Sequence, residues 1–344
     1  MDNNEQEIFN ALSQAYDLSK LSYFKEPEKG ISTKNIIVST ADELTYFIKR
    51  HKKAELDKIK NAEKAAIFVS ENSDVPVVLP LKNKAGEFHQ NIDGQIYSVF
   101  PNLPDTQYRP DSKKTIIPFA YGLGEMLGQI HSASQKNPIP KSITPVPAWT
   151  MKSREESLRE FEEMKKFISK KDSLDAYDKR ALMFIKTKTT LLEEGIFTEK
   201  SKQPLVVCHG DYHKANLLFD ERGKITGICD WDVCGAGNPY TDYIRALKMC
   251  VIKRDYDKLE DKKEEIRAFT SGYASSCGFR LDIIEISCAL NNWIEKLLIS
   301  VWPLTDHYYL GHTKTDSSLE TELKKVSFLR DKKTEFLRLI KDCL

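Results

Sequence analysis

The sequence predicts an α+β protein with two lobes, a small strand-rich N-terminal lobe and a larger, mainly helical C-terminal lobe. Strand-like apolar runs separated by turn residues fill about the first hundred residues, and helical apolar periodicity dominates the rest. A chain of 344 residues is long enough to build two hydrophobic cores. Prolines 101, 104 and 110 interrupt the pattern between the two parts. We therefore expect an N-terminal lobe over residues 1–103 and a C-terminal lobe over residues 104–344.

The N-terminal lobe begins with an acidic segment of helical pattern. Two strands follow within residues 33–49, in "TKNIIVST" and "LTYFIK", and a helix is predicted over about residues 52–71. The runs "VPVVLPL" and "GQIYSVFP" flank a turn-rich segment and predict two more strands. This lobe is therefore predicted to be a small sheet with one long helix.

The C-terminal lobe is predicted to be mainly helical, with a short β island inside it. The island consists of "PLVVC", "ANLLFD" and "GKITGICD", and the last two runs are joined by the hairpin turn "DERG". Amphipathic helices are predicted near residues 117–134, 152–170, 174–194, 257–276, 281–300 and 317–343. The β island carries the most polar cluster of the chain, so we expect the chemistry there.

Bulk properties exclude several classes of protein. The formal net charge of +1 gives no overall attraction to nucleic acid or to a membrane surface. No stretch approaches the ~18 uncharged apolar residues of a membrane span, and the N-terminal segment lacks the order of a signal peptide. The seven cysteines show no disulfide-scaffold spacing, so we expect reduced thiols. A cytoplasmic protein without nucleic-acid or membrane partners is expected, and its oligomeric state is left open.

The polar cluster lies in "VVCHGDYHKANLLFD", residues 206–220, and admits three kinds of chemistry. His209, Asp211 and His213 alternate and could ligate zinc, although Gly210 favours a turn there and no established zinc spacing is present. Cys208 with a histidine could form a nucleophile pair, but it ends a run typical of a buried strand. The third possibility is phosphate chemistry.

Glycine-rich phosphate loops of the P-loop and dinucleotide-binding types are absent from the sequence. The run "GLGEMLG", residues 122–128, lies inside a helical pattern and misses the required spacing. We interpret its glycines as helix-packing positions. Protein kinases, in contrast, use an aspartate in a loop, an asparagine five residues later and a second aspartate after the next strand. Asp211, Asn216 and Asp230 stand in that relation.

The combined pattern "HGDYHKANLLFD…ITGICDWD" resembles the catalytic segment of the aminoglycoside phosphotransferase and choline kinase family. The resemblance covers most of residues 25–250 and implies a two-lobe protein-kinase-like fold. It also implies a phosphotransferase that moves the γ-phosphoryl of ATP or GTP, with Mg²⁺, to a hydroxyl of a small molecule.

The resemblance implies roles for the residues of the β island. Asp211 would accept or orient the hydroxyl proton, and Asn216 and Asp230 would hold the Mg²⁺. His209 would position the loop, and Asp232 would assist the metal or face the acceptor. Asp242, in "GAGNPYTDYIRAL", would brace the catalytic loop, although a helix N-terminal cap explains this residue equally well.

The nucleotide side is expected in the N-terminal lobe. Lys49 ends the strand "TYFIK", where the family places the lysine of the α- and β-phosphates. Glu63 lies on the buried stripe of the following helix and needs a cationic partner, for which Lys49 is the natural choice. The segment "EKGISTKN", with Gly30 and Ser32, would cover the phosphates. Val99, in "YSVFPNL", would belong to the adenine hinge, and Leu218 would form the floor under the adenine.

The acceptor site is the least specified part of the sequence. In the family the acceptor lies between the catalytic loop and the C-terminal helices, where Trp149, Glu155 and Trp293 could bind a cationic amino sugar or aminoalcohol. Tryptophans on amphipathic helices are also ordinary core residues. A homoserine-type metabolite kinase and a non-catalytic, spore-coat-type scaffold of the same fold are the alternatives.

Overall fold

The computed structural model describes residues 3–25, 35–51, 55–146, 152–195, 204–252, 259–311 and 317–343. Its N-terminal part is built on one antiparallel sheet, and the remainder is mainly helical. This arrangement confirms the predicted fold class. None of the helices within these ranges is both long and apolar enough to cross a membrane.

The N-terminal sheet has five strands in the order β1-β2-β3-β5-β4, and every neighbouring pair is antiparallel. The strands are β1 (Ser22–Lys25), β2 (Ile36–Ser39), β3 (Thr45–Arg50), β4 (Gln90–Ile92) and β5 (Gln95–Pro101). Helix α1 (Asn3–Tyr16) packs Phe9 and Leu12 into one core with Val38, Ile48 and Val99. Strands β2, β3 and β5 were predicted, and β1 and β4 were not.

The run "VPVVLPL" does not form the predicted strand. Its backbone pairing with strands is limited to one bridge, between Val77 and Ile228, and one hydrogen bond from the Leu81 amide to the Val99 carbonyl, at 2.7 Å. Pro76 and Pro80 have no N–H to donate, so the segment cannot sustain a ladder. It follows α2 (Leu56–Asn72) and joins the N-terminal sheet to the β island.

Helices dominate the chain after residue 112. They are α3 (Lys113–Lys136), α4 (Arg154–Ser169), α5 (Ala176–Glu194), α6 (Pro239–Leu247), α7 (Lys263–Ser276), α8 (Ile283–Ile299), α9 (Leu304–Leu310), α10 (Ser318–Asp331) and α11 (Lys333–Lys341). The helix predicted over 317–343 is interrupted at Lys332, which leaves helical geometry. Helix α6 was missed because its nine residues are too few for periodicity to reveal.

Helices α3 and α7 pack closely at the glycines of "GLGEMLG". A Cβ on Gly124 would lie 1.9 Å from the Phe269 carbonyl oxygen, and one on Gly128 would lie 2.8 Å from that of Tyr273. Only glycine allows the two backbones to approach this closely. The interpretation as packing positions is confirmed for Gly124 and Gly128, whereas a Cβ on Gly122 would meet nothing within 4 Å.

The β island consists of two strand pairs. Strand β6 (Val206–Cys208) pairs with β9 (Gly235–Gly237), and β7 (Leu217–Phe219) forms a hairpin with β8 (Ile225–Ile228). Residues 209–216, here named the 209–216 loop, connect β6 to β7. Residues 229–234 connect β8 to β9. The two connections place the polar cluster at one end of the island.

Candidate active site

The 209–216 loop is held at its start by Asp242 of α6. The fully buried Asp242 carboxylate accepts the backbone N–H of His209 at 2.9 Å and that of Gly210 at 3.2 Å. His131 of α3 contacts the same carboxylate through Nε2, at 3.2 Å. The N-terminal cap of α6 is Asn238, whose side chain accepts from Tyr240 and Thr241. Asp242 therefore fixes the loop and is not a helix cap.

Glycine is required at position 210 for two reasons. Its φ of 78° lies in the left-handed region, which glycine adopts without strain. A Cβ at this position would also lie 2.5 Å from the Val233 carbonyl oxygen. The loop and residues 229–234 thus pack backbone against backbone.

His209 is fully buried, and both of its ring nitrogens are engaged. Its Nε2 lies 3.0 Å from the Cys229 carbonyl oxygen, and its Nδ1 accepts the Asp211 amide at 3.3 Å. Burial lowers the pKa of the imidazole and outweighs the opposing effect of Asp242. Trp231 packs on the ring, at 4.7 Å between centroids. This histidine is a loop support, and the zinc hypothesis loses one of its ligands.

One cluster of potential metal ligands exists among the described residues, formed by His131, Cys208 and Asp242. The Nδ1 of His131 is already 2.7 Å from the Tyr273 hydroxyl, and its Nε2 faces Asp242. Burial raises the pKa of the Cys208 thiol well above its ordinary value, so a thiolate is disfavoured. The cluster is a satisfied hydrogen-bond network, and a Cys208 nucleophile is disfavoured as well.

Asp211 stands at the centre of the loop, and three side chains surround its carboxylate. Arg245 Nη2 lies 2.5 Å from Oδ1, and His213 Nε2 lies 3.3 Å from Oδ2. The Asn216 side-chain amide donates to the Asp211 Oδ2 at 3.4 Å and to the Asp211 backbone carbonyl oxygen at 2.9 Å. Burial favours the neutral acid, but the hydrogen bond from His213 and the charge of Arg245 outweigh it and lower the pKa of Asp211. The carboxylate is therefore ionised at neutral pH.

Asn216 and Asp230 are brought together by the β7–β8 hairpin. The Cys229 amide bonds the Asn216 carbonyl oxygen at 2.8 Å, which sets the next residue, Asp230, beside Asn216. Asp230 has a φ of 60°, a conformation that non-glycine residues rarely adopt. Strained backbone of this kind is concentrated at functional sites.

Lys49 reaches the same place from the N-terminal sheet. Its Nζ lies 2.7 Å from a carboxylate oxygen of both Asp230 and Asp232. The lysine side chain is only 10% exposed, so this double ion pair is largely removed from water. Burial opposes protonation, but the two carboxylates prevail and raise the pKa of Lys49. The ammonium is therefore charged and joins the sheet to the β island.

Glu63 has a different partner from the one expected. Its Oε1 lies 2.9 Å from Nδ1 of His89, and both side chains are nearly buried. Burial raises the pKa of Glu63, and His89 partly offsets that effect. Glu63 and Lys49 line one cavity, but Lys49 bonds to the aspartates. The need for a partner was inferred correctly, while its identity was wrong.

The remaining nucleotide-side predictions have different outcomes. Val99 lies inside β5, where its side chain packs in the core with α1 and its carbonyl accepts from Leu81, so it does not belong to an open hinge. Leu218 is half-buried in β7, opposite Gly227. Gly30 and Ser32 lie outside the described residues.

The predicted acceptor residues are not gathered at one point. Trp293 of α8 is half-buried and packs against the main core. Glu155 is exposed in the first turn of α4, and Trp149 lies outside the described residues. The side chain that contacts Asp211 from the C-terminal helices is Arg245, which the sequence argument overlooked. Its position one helical turn after Asp242 was the available signal.

Comparison with known proteins now decides the family. The model of the phosphotransferase enzyme family matches residues 24–273. The chain belongs to this family. The resemblance drawn from the two aspartate motifs is thereby confirmed, and with it the prediction of a phosphotransferase. No curated protein matches the chain at a significant level.

Solved structures with the same fold are also phosphotransferases. An amicoumacin kinase in complex with AMP-PNP, Ca²⁺ and Ami is 15% identical, with a TM-score of 0.59, and covers 95% of this chain and 94% of its own. A spectinomycin phosphotransferase in complex with ADP and spectinomycin is 16% identical, with a TM-score of 0.60 and coverages of 93% and 92%. A microcompartment-associated aminopropanol kinase is 17% identical, with a TM-score of 0.61 and coverages of 97% and 99%. At these identities the likeness establishes the fold of this phosphotransferase.

Proposed function

We propose that this phosphotransferase transfers the γ-phosphoryl group of ATP, with Mg²⁺, to a hydroxyl of a small molecule. The observation that carries the proposal is the convergence of Asp211, Asn216, Asp230 and Lys49 from the loop, the hairpin and the sheet. Residues 1–103 would bind most of the nucleotide, and residues 104–344 would carry the 209–216 loop and the acceptor site. The nucleotides named in the related structures support ATP.

Mg²⁺ suits the donor atoms present. The Asn216 amide nitrogen is committed to Asp211, which leaves its oxygen for a cation. Asp230 adds a carboxylate of which one oxygen bonds Lys49. Hard oxygen donors of this kind are what Mg²⁺ prefers, and a bound ion would neutralise charge on the phosphates.

Asp211 is suited to receive the acceptor's proton. Its carboxylate is ionised, half-buried and fixed by the loop, so it can orient a hydroxyl for attack on the γ-phosphorus. The hydroxyl oxygen forms the new bond to phosphorus as the bond to the leaving diphosphate breaks, and Asp211 takes the proton. Lys49 would stabilise the charge that develops on the diphosphate.

Nucleotide-dependent melting separates this proposal from a non-catalytic scaffold. Because a ligand that binds only the native state raises the melting temperature, Mg²⁺ with AMP-PNP should stabilise the protein in a concentration-dependent way. The GTP analogue in a parallel series tests the choice of nucleotide. Absence of any Mg²⁺-dependent shift would contradict the proposal. A positive result is followed by a screen of ATP consumption against amino sugars, aminoalcohols and hydroxy amino acids.

A further inference from the structure

Helix α3 carries the side chain of His131, which lies between two polar partners. Its Nε2 is 3.2 Å from Oδ2 of Asp242, and its Nδ1 is 2.7 Å from the hydroxyl oxygen of Tyr273 in α7. All three side chains are fully buried. Buried polar groups that are bonded to one another hold a single arrangement, since any other would leave one of them unpaired. We name these residues the Tyr273–His131–Asp242 chain.

The hydrogen bonds of this chain run in one direction. The carboxylate of Asp242 accepts two backbone N–H groups of the 209–216 loop, so it also accepts from His131, whose Nε2–H is the donor. With that proton on Nε2, Nδ1 is an acceptor and the Tyr273 hydroxyl donates to it. Burial raises the pKa of Tyr273 well above its ordinary value, which keeps this hydroxyl a donor.

Asp242 transmits the orientation of His131 to the loop. Its Oδ2 takes both the His131 ring and the His209 amide, while its Oδ1 takes the Gly210 amide. A turn of the carboxylate away from the ring would therefore lengthen at least one contact to the loop backbone. Asp211 is the next residue along that backbone, so its position depends on the same three donors.

The residue after Asp211 is also bonded to α3. Tyr212 is fully buried, and its hydroxyl donates to the backbone carbonyl oxygen of Leu123 at 2.9 Å. Leu123 and His131 lie on the same helix, about two turns apart. Helix α3 thus holds the loop on both sides of Asp211, through Asp242 before it and through Tyr212 after it.

The close contact of α3 with α7 sets the separation of His131 from Tyr273. Gly128 precedes His131 by less than one turn, and its backbone lies so close to α7 that a Cβ would be 2.8 Å from the Tyr273 carbonyl oxygen. The two rings meet edge to face, with 5.5 Å between their centroids. The hydroxyl of Tyr273 therefore reaches His131 from a helix whose distance is fixed by backbone contact.

We propose that His131 and Tyr273 are positioning residues for phosphotransfer, which act through Asp242 to hold the Asp211 carboxylate where it meets the acceptor hydroxyl. The inference rests on the proposed function of Asp211. Both side chains are fully buried and so act without touching a substrate. A displacement of about 1 Å at the reacting groups costs up to ~10²-fold in rate, so their loss should lower kcat and leave the KM for ATP unchanged.

Two buried tyrosines provide a matched pair of variants. Tyr273→Phe removes the hydroxyl that bonds His131, whereas Tyr243→Phe removes a hydroxyl that lies 2.7 Å from Thr270 Oγ1, between α6 and α7. Both tyrosines are fully buried, so each variant loses one buried hydrogen bond. We expect Tyr273→Phe to lower kcat by about 5- to 50-fold and Tyr243→Phe by less than about twofold.

Substitutions of His131 test the order of the chain. His131→Leu removes both ring nitrogens and should lower kcat by about 10- to 100-fold, whereas His131→Gln keeps an amide that can donate to Asp242 and should recover most of that loss. Adding Tyr273→Phe to His131→Leu should lower kcat by less than a further about twofold, because the hydroxyl acts through His131. The acceptor is the compound of highest turnover among the amino sugars, aminoalcohols and hydroxy amino acids of the screen.

Hydrogen exchange of the full-length protein gives a readout that needs no acceptor. The amides of His209 and Gly210 bond Asp242, so in Tyr273→Phe they should exchange at least about tenfold faster than in the wild type and in Tyr243→Phe. Mg²⁺ with AMP-PNP should raise the melting temperature of every variant as it does that of the wild type. If His131→Leu fails to fold, Tyr273→Phe and its control carry the test.

The outcomes separate this inference from the proposed function. A wild-type kcat in Tyr273→Phe, or an equal loss in Tyr243→Phe, would overturn the positioning role and leave phosphotransfer standing. A loss of kcat that is accompanied by a raised KM for ATP and a lost AMP-PNP shift would assign the effect to general unfolding and would also overturn it. Absence of phosphotransfer and of Mg²⁺–nucleotide stabilisation in the wild type would instead contradict the proposed function itself.

Discussion

The two sides of the proposed active site, one for the nucleotide and one for the acceptor, place their cations differently. On the nucleotide side, Lys49 is nearly buried and bridges two carboxylates, at 2.7 Å each. On the acceptor side, Arg245 is 29% exposed and bonds one oxygen of Asp211. The first pair links distant parts of the chain, whereas the second lies within the β island and the helix after it. The Lys49 pair is thus the more buried of the two and joins the sheet to the β island, whereas the Arg245 pair is more exposed and local.

Substitutions of Asp230 and Asp232, the two carboxylates that bind Lys49, should give the largest effects in this comparison. Asp230→Asn should lower kcat by about 10²- to 10³-fold, because it weakens the proposed metal ligand beside Asn216. Asp232→Asn removes the other half of the ion pair without touching the hairpin base, and we expect less than about a tenfold loss. Steady-state kinetics at saturating Mg²⁺–ATP measures both variants. Equal losses would mean that the ion pair, and not the position of Asp230, determines the effect.

Two glycine-to-alanine substitutions, one in the 209–216 loop and one outside it, test how rigid this loop is. Gly210→Ala should destabilise the protein by about 1–3 kcal/mol, since it combines a left-handed φ with a backbone clash at Val233. Gly311 has a similar φ of 68° with nothing within 4 Å of its would-be Cβ, so Gly311→Ala should cost only about 1 kcal/mol. Urea unfolding gives both free energies. A cost at Gly210 no greater than at Gly311 would show that the loop tolerates displacement.

A second buried lysine, Lys188, differs from Lys49 in the direction of its pKa shift, and the expected effect on stability is smaller. Lys188 is fully buried and donates to the Leu297 and Ser300 carbonyl oxygens at 2.7 Å each, but it lacks the paired carboxylates of Lys49. Burial lowers the pKa of Lys188 to about 7 from its ordinary 10.5. Between those values the unfolded chain binds more protons than the native state, so stability should rise with pH.

The Lys188→Met variant measures that contribution. The slope of the unfolding free energy between pH 7 and 9 should fall by up to about 1.4 kcal/mol per pH unit relative to wild type. Exposed Lys179→Met, on the same helix, should leave the slope unchanged. An identical slope in Lys188→Met and wild type would show that the native Lys188 keeps an ordinary pKa.

Local spacing made half of the site predictable from the sequence. Asp211, Asn216 and Asp230 belong to one loop and one short hairpin, so their separation along the chain determines their separation in space. Lys49 followed from its place at the end of a strand. For Asp211, Asn216 and Asp230 a motif of fixed length carried the prediction.

Contacts between distant segments escaped the sequence argument. Glu63 needed a cation, but His89 lies in a turn-rich segment whose path no periodicity reveals. Val99 was assigned to the hinge because the end of β5 could not be located within two residues. Arg245 was overlooked since α6 was not predicted, and without that helix its approach to Asp211 has no geometric basis.

Phosphotransfer by the Asp211→Asn variant tests the central claim most directly. With γ-labelled ATP, Mg²⁺ and the best acceptor of the screen, we predict a fall in kcat of about 10²- to 10⁴-fold, while Mg²⁺ with AMP-PNP stabilises the variant as it does the wild type. Asp172→Asn, which removes an exposed carboxylate between α4 and α5, is the matched control. Transfer by Asp211→Asn at the wild-type rate would contradict the assignment of Asp211 and with it the proposed mechanism.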